Sequence, residues 1–470
     1  METWNKLYSG TIESFLSREK ELRQVVMGFN VNIDKIIRIG SDTLQVLKSK
    51  NLDEILLQKE VPMHINSIES FILCLLSAIE GGKADEKLIV AEDVCDWIEN
   101  TFVVDEIKIG GQAGIMANLL TKLELADVLL SLPVYDDRFV DLLHDKINIP
   151  FESKGVCSVQ PITKLQGFEK KRFIHYIFEF DKGIYHLTTS NSIKCPRQNR
   201  FIASHDTVNS LLKIKNCFKK YSFENIKKYS IAIVSGFHLL NPEMQDNTTY
   251  YDIITPIISM FKEWKKLNPD LKIHIEFAAT RDKKLIEIIF QRLLPLVNSI
   301  GLNEQELLSV LEATNVTTYK KLRNEMSSVN LFEGILNIWV RYPHLRIHLH
   351  YLGYYLTISS RLHEKYAIKR KQALILSAVF AAVKARNGSI CSIVDISKLP
   401  CSVSESGYNE IKGLISFLKS EYTSIDEIEE GIVSTDSFTV VGIPTIMVKS
   451  AQQLVGVGDT ISVLALLLEN

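Results

Sequence analysis

Short apolar runs rich in β-branched residues alternate with amphipathic stretches along most of this chain. Arg23 to Phe29, Asp127 to Leu132, Ser230 to Ser235, Leu271 to Phe277, Ser299 to Leu302, Leu345 to Leu349 and Phe438 to Val441 have the length and continuity of buried strands. Tyr250 to Leu267, Arg281 to Leu294, Glu304 to Glu312, Arg370 to Arg386 and Asp459 to Leu468 carry helical patterns between and after them. Strand and helix in alternation predict an α/β fold, a large doubly wound, mostly parallel sheet covered on both faces.

Lys171 to Ile202 breaks that rhythm, with period-2 alternation and a D-K-G turn at Asp181 to Gly183. This predicts hairpins and a small antiparallel sheet set apart from the parallel one. Without a repeat or a Pro/Gly-rich linker, the second sheet reads as a discontinuous β-rich lid inserted in the body. The body is expected at about 1–33, 109–160 and 204–470, and the lid from part of 34–108 and from 161–203.

At 470 residues the chain exceeds one simple core, in keeping with a body and a lid. Lys and Arg (54) nearly balance Asp and Glu (56), which argues against nucleic acid or an anionic membrane as main partner. The longest apolar runs, Ala373 to Val383 and Ile461 to Leu468, are too short to span a bilayer, and the charged opening METWNKLYSGTIESFLSREK lacks a signal-peptide core. Seven dispersed cysteines without a C-x-x-C pair read as reduced thiols, so a cytoplasmic protein is expected.

Four places carry candidate chemistry. Val455-Gly456-Val457-Gly458-Asp459-Thr460 precedes an apolar helix. Backbone amides at such a helix entry hold an anion, and Asp459 there serves either as a plain N-cap or as acceptor of a hydroxyl proton. Glu276 ends one strand, and Asn303 and Glu306 follow another. In a doubly wound sheet such strand ends meet at the ligand crevice, where they serve Mg²⁺ directly or through its waters, or else cap and solvate. Asn30, Asn32 and Asp34 alternate on one side of an extended segment and offer the mixed donors and acceptors that sugar hydroxyls need. Gly110, Gly111 and Gln112 open a helix through small residues and permit close approach of a ligand.

Other signatures are missing. No G-x-x-x-x-G-K-[ST] phosphate loop and no protein-kinase motif set occurs, and His274 with Glu276 does not form H-E-x-x-H. His348 and His350 share a strand face with no third ligand at metal spacing, which favours packing or nucleotide contact.

The order of the pieces says more than any one of them. N-x-N-x-D, G-G-Q-A-G-I-x-A-N, H-Y-I-F-E-F, N-R-F-I, S-G-F, H-x-E-F-A, G-L-N-E-x-E, H-x-x-G-Y-Y-L, P-T and G-x-G-D-T-I-S run in sequence to Ser462. This closely resembles the ADP-dependent glucokinase and phosphofructokinase family, a branch of the ribokinase superfamily known mainly from archaea. The resemblance starts at Trp4 to Tyr8 and implies a kinase that converts ADP to AMP while phosphorylating a sugar. It makes Asp459 the base and Gly456, Val457 and Gly458 the anion hole. Glu276 and Glu306, with Asp459, would position Mg²⁺, and Asn32, Asp34, Glu86, Gly111, Gln112 and His175 would hold the sugar. Arg200 of N-R-F-I would swing onto the phosphates as the lid closes, Asn303 would lie beside the nucleotide, and the adenine would lie near Tyr354 and Val440.

By the same resemblance, Glu86 after Gly82-Lys83 favours glucose, and a carboxylate there would repel a phosphorylated sugar. His175 and Asn199 also look like the glucokinase form, whereas the spacing of Ala91 to Ile109 looks like the phosphofructokinases. Lys171, Arg172 and Arg197 are candidates for a sugar phosphate, and Lys35 and Ile109 depart from the family pattern. Glucose is the expected acceptor; fructose 6-phosphate (alone or in a bifunctional enzyme), a phosphorylated pentose and a nucleoside are the alternatives. Two rivals differ in kind. A silent sugar or nucleotide sensor is expected to have lost Asp459, Glu276 or Arg200, all of which are present. An ATP-using relative is disfavoured by the H-x-E and H-x-x-G-Y-Y-L segments.

Overall fold

The computed structural model describes all residues except 20, 51, 57–59, 166–168, 170, 189–190, 242–247, 279, 281, 401, 449–450 and 453–454. Arg281, the expected first residue of one helix, and Cys401 therefore lie outside the described residues. The seven runs read as strands all enter one ten-stranded sheet. Its order is Asp426–Glu429, Ile432–Ser434, Phe438–Pro444, Tyr354–Ser360, Arg346–Tyr351, Ser299–Asn303, Lys272–Glu276, Ile231–Val234, Arg23–Gly28 and Ala126–Leu130. The six from Arg346–Tyr351 to Ala126–Leu130 are mutually parallel, and the four at the other edge pair antiparallel.

The parallel strands are buried on both faces, which is why they read as unbroken apolar runs. One face packs on helices Gln112–Lys122, Glu364–Asn387 and Val457–Glu469, and the other on Tyr250–Leu267, Glu304–Thr314 and Ser328–Arg341. Arg23–Gly28 lies between Ile231–Val234 and Ala126–Leu130, so chain direction across the sheet switches there. The loops after these carboxyl ends form the crevice that such a switch leaves open. The last helix is fixed at its far end by Glu469, which accepts from buried Arg346 (2.7 Å) and Arg370 (2.6 Å).

The second sheet runs Asp85–Leu88, Asn199–Asp206, Phe173–Phe180, Asn32–Arg38 and Glu106–Gly110. It has its own core, in which Phe71 of the helix Ile68–Gly81 and Phe102, just past the helix Glu92–Thr101, meet Phe178, and Phe71 also meets Phe201. Two expectations fail here. The sheet is mixed, because Asn32–Arg38 and Phe173–Phe180 run parallel, as do Asp85–Leu88 and Asn199–Asp206. Nor does the D-K-G turn close a hairpin: Phe173–Phe180 pairs along its whole length with Asn199–Asp206, while Gly183–His186 pairs with Ser192–Cys195. Phe173–Phe180 is buried on both faces and central, so distant strands that cover it win over the local partner.

The helix expected to reach Leu294 is α-helical only over Lys283–Ile288, then widens over Ile289–Leu293 and tightens over Leu294–Leu296, where Pro295 lacks a backbone donor. Among the described residues, no helix is long and apolar enough to cross a membrane.

Candidate active site

The chain after Arg23–Gly28 crosses from the large sheet into the second one, with Asn30 in the connection and Asn32 and Asp34 on the strand Asn32–Arg38, all buried. Asn32 Nδ2 donates to Asp34 Oδ1 at 2.7 Å, so the two side chains share one side of the strand as their alternation predicts. The double glycine faces them from the neighbouring strand. A β-carbon at Gly110 would stand 2.0 Å from Asp34 Oδ1, and one at Gly111 would stand 2.4 Å from the Asn30 carbonyl oxygen. Gly111 also has φ +75°, a conformation open chiefly to glycine. The glycines thus admit the asparagine loop itself. The side-chain oxygens Asn30 Oδ1, Asn32 Oδ1, Gln112 Oε1 and Asn209 Oδ1 are buried without a partner among the described residues. Buried polar atoms left so are costly and mark where ligand hydroxyls or water complete the bonding.

Next to them His175 stands between two carboxylates, with Nε2 3.3 Å from Asp206 Oδ2 and Nδ1 3.8 Å from Glu86 Oε1. Burial pulls the imidazole down, but the Asp206 hydrogen bond and the charges of Glu86, Asp206 and Asp34 outweigh it and push His175 up to about 9. It is therefore a cation at neutral pH. Burial raises Asp34 to about 6, restrained by His175 and by the Asn32 hydrogen bond. Asp206 is held by the backbone amide of Asn209 (2.8 Å) and by Asn209 Nδ2 (2.6 Å). Half-buried His238 faces the same group, and loss of solvent holds it below the ordinary imidazole value. Arg200 is half-buried among Glu179, Glu86, Asp34 and Asp459, its buried Nε without a partner among the described residues. It thus joins the second sheet to the end of the large one.

The C-terminal turn meets this group from the body. Gly456, at φ +70°, caps the helix Val457–Glu469, and Asp459 lies in that helix's first turn. Burial raises the Asp459 carboxyl, tempered by Lys384, by the Gln112 amide and by Arg200. Lys384 donates from Nζ to the Gly456 carbonyl (2.7 Å) and to Thr460 Oγ1 (3.2 Å). Gln112 Nε2 donates to the Phe277 carbonyl (3.0 Å), which ties this side to the strand end at Glu276.

Glu276 is buried and pushed well above the usual carboxylate range by burial, then by Asp459 and Glu306. Burial likewise raises Glu306 to about 8, tempered by its bond to the Asn303 backbone and raised further by Asp459. The capping arrangement left open above is formed: Asn303 Oδ1 accepts from Gln305 N and Glu306 N, and Glu306 Oε2 accepts from Asn303 N at 2.7 Å. Glu306 thus keeps one oxygen for other use. Among the described residues, no three His, Cys, Asp or Glu side chains converge closely enough to cage a metal. The mutual repulsion of Glu276, Glu306 and Asp459 nevertheless suits a hard cation that keeps most of its water.

Other expected residues lie apart. Tyr354 is buried against Tyr351, with ring centroids 5.1 Å apart, beside the end that carries Glu304. Val440 pairs with Ile358, four residues along the strand from Tyr354 and so about 13 Å away, within the apolar core. Of the basic residues considered for a sugar phosphate, Arg172 bonds Asp96 (2.6 Å), Arg197 donates to the Gly82 carbonyl (2.8 Å) and Lys171 faces Glu169 (3.9 Å). Lys35 is paired with Glu99 at 2.7 Å. Sequence reasoning missed Asp206, Asn209, His238 and Lys384. The one signal for Lys384 was a cation within the otherwise apolar stretch Ala381-Ala382-Val383-Lys384-Ala385.

The chain is 30% identical over 471 residues to the ADP-dependent glucose/glucosamine kinase of Pyrococcus furiosus, which spans 98% of this chain and 97% of that one. It is 26% identical to the ADP-specific phosphofructokinase of Methanosarcina acetivorans over 98% and 96%. A solved ADP-dependent kinase in complex with fructose-6-phosphate and ADPβS superposes with a TM-score of 0.84, at 26% identity, over 100% of this chain and 98% of that one. Together with the crevice these define a ribokinase-like sugar kinase that takes ADP as co-substrate, a phosphotransferase with an alcohol group as acceptor. The model of the ADP-specific phosphofructokinase/glucokinase conserved region matches residues 23–468, and the chain belongs to that family.

Proposed function

We propose that this kinase transfers the β-phosphoryl group of ADP to a hydroxyl of glucose. The observation that carries the acceptor is His175 standing between Glu86 and Asp206, with Asp34 alongside. A ring of carboxylates and amides accepts from and donates to sugar hydroxyls, and it disfavours an acceptor that already bears a phosphate. Asn32, Asp34, Glu86, Gly111, Gln112 and His175 hold the sugar. Asp459 takes the proton of the attacking hydroxyl, and the amides of the Gly456–Gly458 turn and Arg200 receive the transferring group. Little covalent work falls to the protein, so positioning and charge neutralisation supply most of the acceleration.

Glu276 and Glu306, the latter through its free oxygen, would hold Mg²⁺ by way of its waters, with Asp459 nearby. When bound, the ion neutralises phosphate charge. Asn303 and Tyr354 flank the nucleotide end; Val440 supports that wall from within the core. The second sheet acts as a lid that brings Arg200 onto the phosphates and excludes water, which otherwise competes as acceptor. A cytoplasmic location accords with this substrate pair.

Two further acceptors have support of their own. The relative from Pyrococcus furiosus is a glucose/glucosamine kinase, and an ammonium at the sugar would face Glu86 favourably. The solved neighbour binds fructose-6-phosphate, so a phosphofructokinase or bifunctional activity is the second reading. Measuring kcat/KM for glucose, glucosamine and fructose 6-phosphate with ADP separates them. A higher value for fructose 6-phosphate than for glucose would overturn the glucose assignment.

A further inference from the structure

Lys384 is not among the family motifs quoted above, yet it sits where the chemistry is expected. It projects from the helix Glu364–Asn387, which packs along the final helix among buried Val379, Phe380, Ala382 and Val383. A lysine at such a place needs strong partners, because an ammonium leaves water at considerable cost. It finds the Gly456 carbonyl at 2.7 Å and Thr460 Oγ1 at 3.2 Å. Thr460 Oγ1 itself donates to the same carbonyl at 2.8 Å, which closes a triangle. Lys384 is also the foremost positive charge acting on Asp459. It lines the cleft of about 840 Å³ that reaches from Asp34 past Lys108 and Gln198 to Val455.

The consequence follows from peptide geometry. The Gly456 carbonyl and the Val457 N–H belong to one planar trans unit and point in opposite directions. An ammonium that fixes the carbonyl therefore fixes the aim of that N–H, away from Lys384. It also polarises the amide and makes the N–H a better donor. Gly456 must be glycine for the same contact, since a β-carbon there would stand 2.7 Å from Lys384 Nζ.

We propose that Lys384 is a positioning residue for phosphoryl transfer, whose ammonium orients the amides of the Gly456–Gly458 turn. The proposal rests on the assignment of that turn as the reacting end of the site. Its test is steady-state kinetics of the full chain with ADP, Mg²⁺ and the wild-type acceptor. Lys384→Met keeps the apolar stem, Lys384→Gln keeps a neutral donor and serves should the methionine variant not fold, and Lys384→Arg keeps the charge. The neutral variants are expected to lose about 10- to 100-fold in kcat, below the loss typical of removing a transition-state donor outright. KM for the sugar should stay within about twofold, since uniform binding is untouched. Arginine should restore part of the rate, and ethylammonium, but not ethanol, should revive Lys384→Ala.

A neutral variant with wild-type kcat would overturn the proposal. So would equal recovery of Lys384→Ala by ethanol and ethylammonium, which would mean that Lys384 only fills space. Asp459→Asn is measured alongside. If it remains active, the assignment of the turn fails; if it is inactive while Lys384→Gln is unaffected, only the role of Lys384 fails.

Discussion

His175 Nδ1 lies 3.8 Å from Glu86 Oε1 across two strands that are not neighbours, with Asn199–Asp206 between them. The pair therefore exists only when the second sheet is assembled, and it sets a partly exposed carboxylate against a buried imidazolium. Glu86→Ala should weaken glucose use more than fructose 6-phosphate use, by about tenfold or more in the ratio of kcat/KM, since a site that bonds a hydroxyl discriminates strongly. Parallel kinetics on both sugars check this. An equal loss on both would show that Glu86 does not set specificity.

The charge on His175 predicts a pH dependence. Its folded pKa, about 9, lies above the ordinary value of 6.5. The stability it contributes is thus fully present below about pH 6.5 and is lost as pH rises through about 9. Sugar KM should climb over the upper part of that range as the imidazolium loses its proton. Thermal unfolding and KM against pH, for wild type and His175→Gln, check it. An unchanged profile in the variant would contradict the assignment.

Glu276→Gln tests the carboxylate cluster. The substitution removes one of three mutually repelling acids and leaves a similar volume, so the fold should hold or gain slightly in stability. The Mg²⁺ concentration for half-maximal rate should rise about 10- to 100-fold, the range seen when groups that support a bound metal are lost. A titration of rate against Mg²⁺ measures it.

Gly111→Ala tests the glycine pair. With φ +75° and a β-carbon 2.4 Å from the Asn30 carbonyl, alanine forces the asparagine loop to move. About 1–3 kcal/mol of stability should go, together with sugar affinity, because the strained loop carries Asn30 and leads into Asn32. Denaturant unfolding and sugar KM report the two effects. A stable variant with wild-type KM would show that the loop is not held this way.

The large sheet was legible because strands buried on both faces are nearly continuous apolar runs, as in Ile231–Val234. Asp85–Leu88 was not, since its four residues are short and polar and gain their place only by pairing with Asn199–Asp206. The D-K-G turn misled for a related reason: local turn chemistry favours a hairpin, but the ladder with Asn199–Asp206 covers a longer apolar strand. The site was readable where polar residues interrupt strand ends, as at Asn32, Glu276 and Asp459. Asp206 and His238 lay beyond such reading, because their roles depend on the packing of His175 and not on spacing. Lys384 was passed over because an apolar helix reads as packing alone.

The most direct test is AMP formation from ADP and Mg²⁺ across glucose, fructose 6-phosphate, ribose 1-phosphate and nucleosides, with ATP as a parallel donor. Turnover with ADP and glucose, exceeding that with ATP and with every phosphorylated acceptor, is the predicted result. Turnover with ADP and only another acceptor would contradict the glucose assignment.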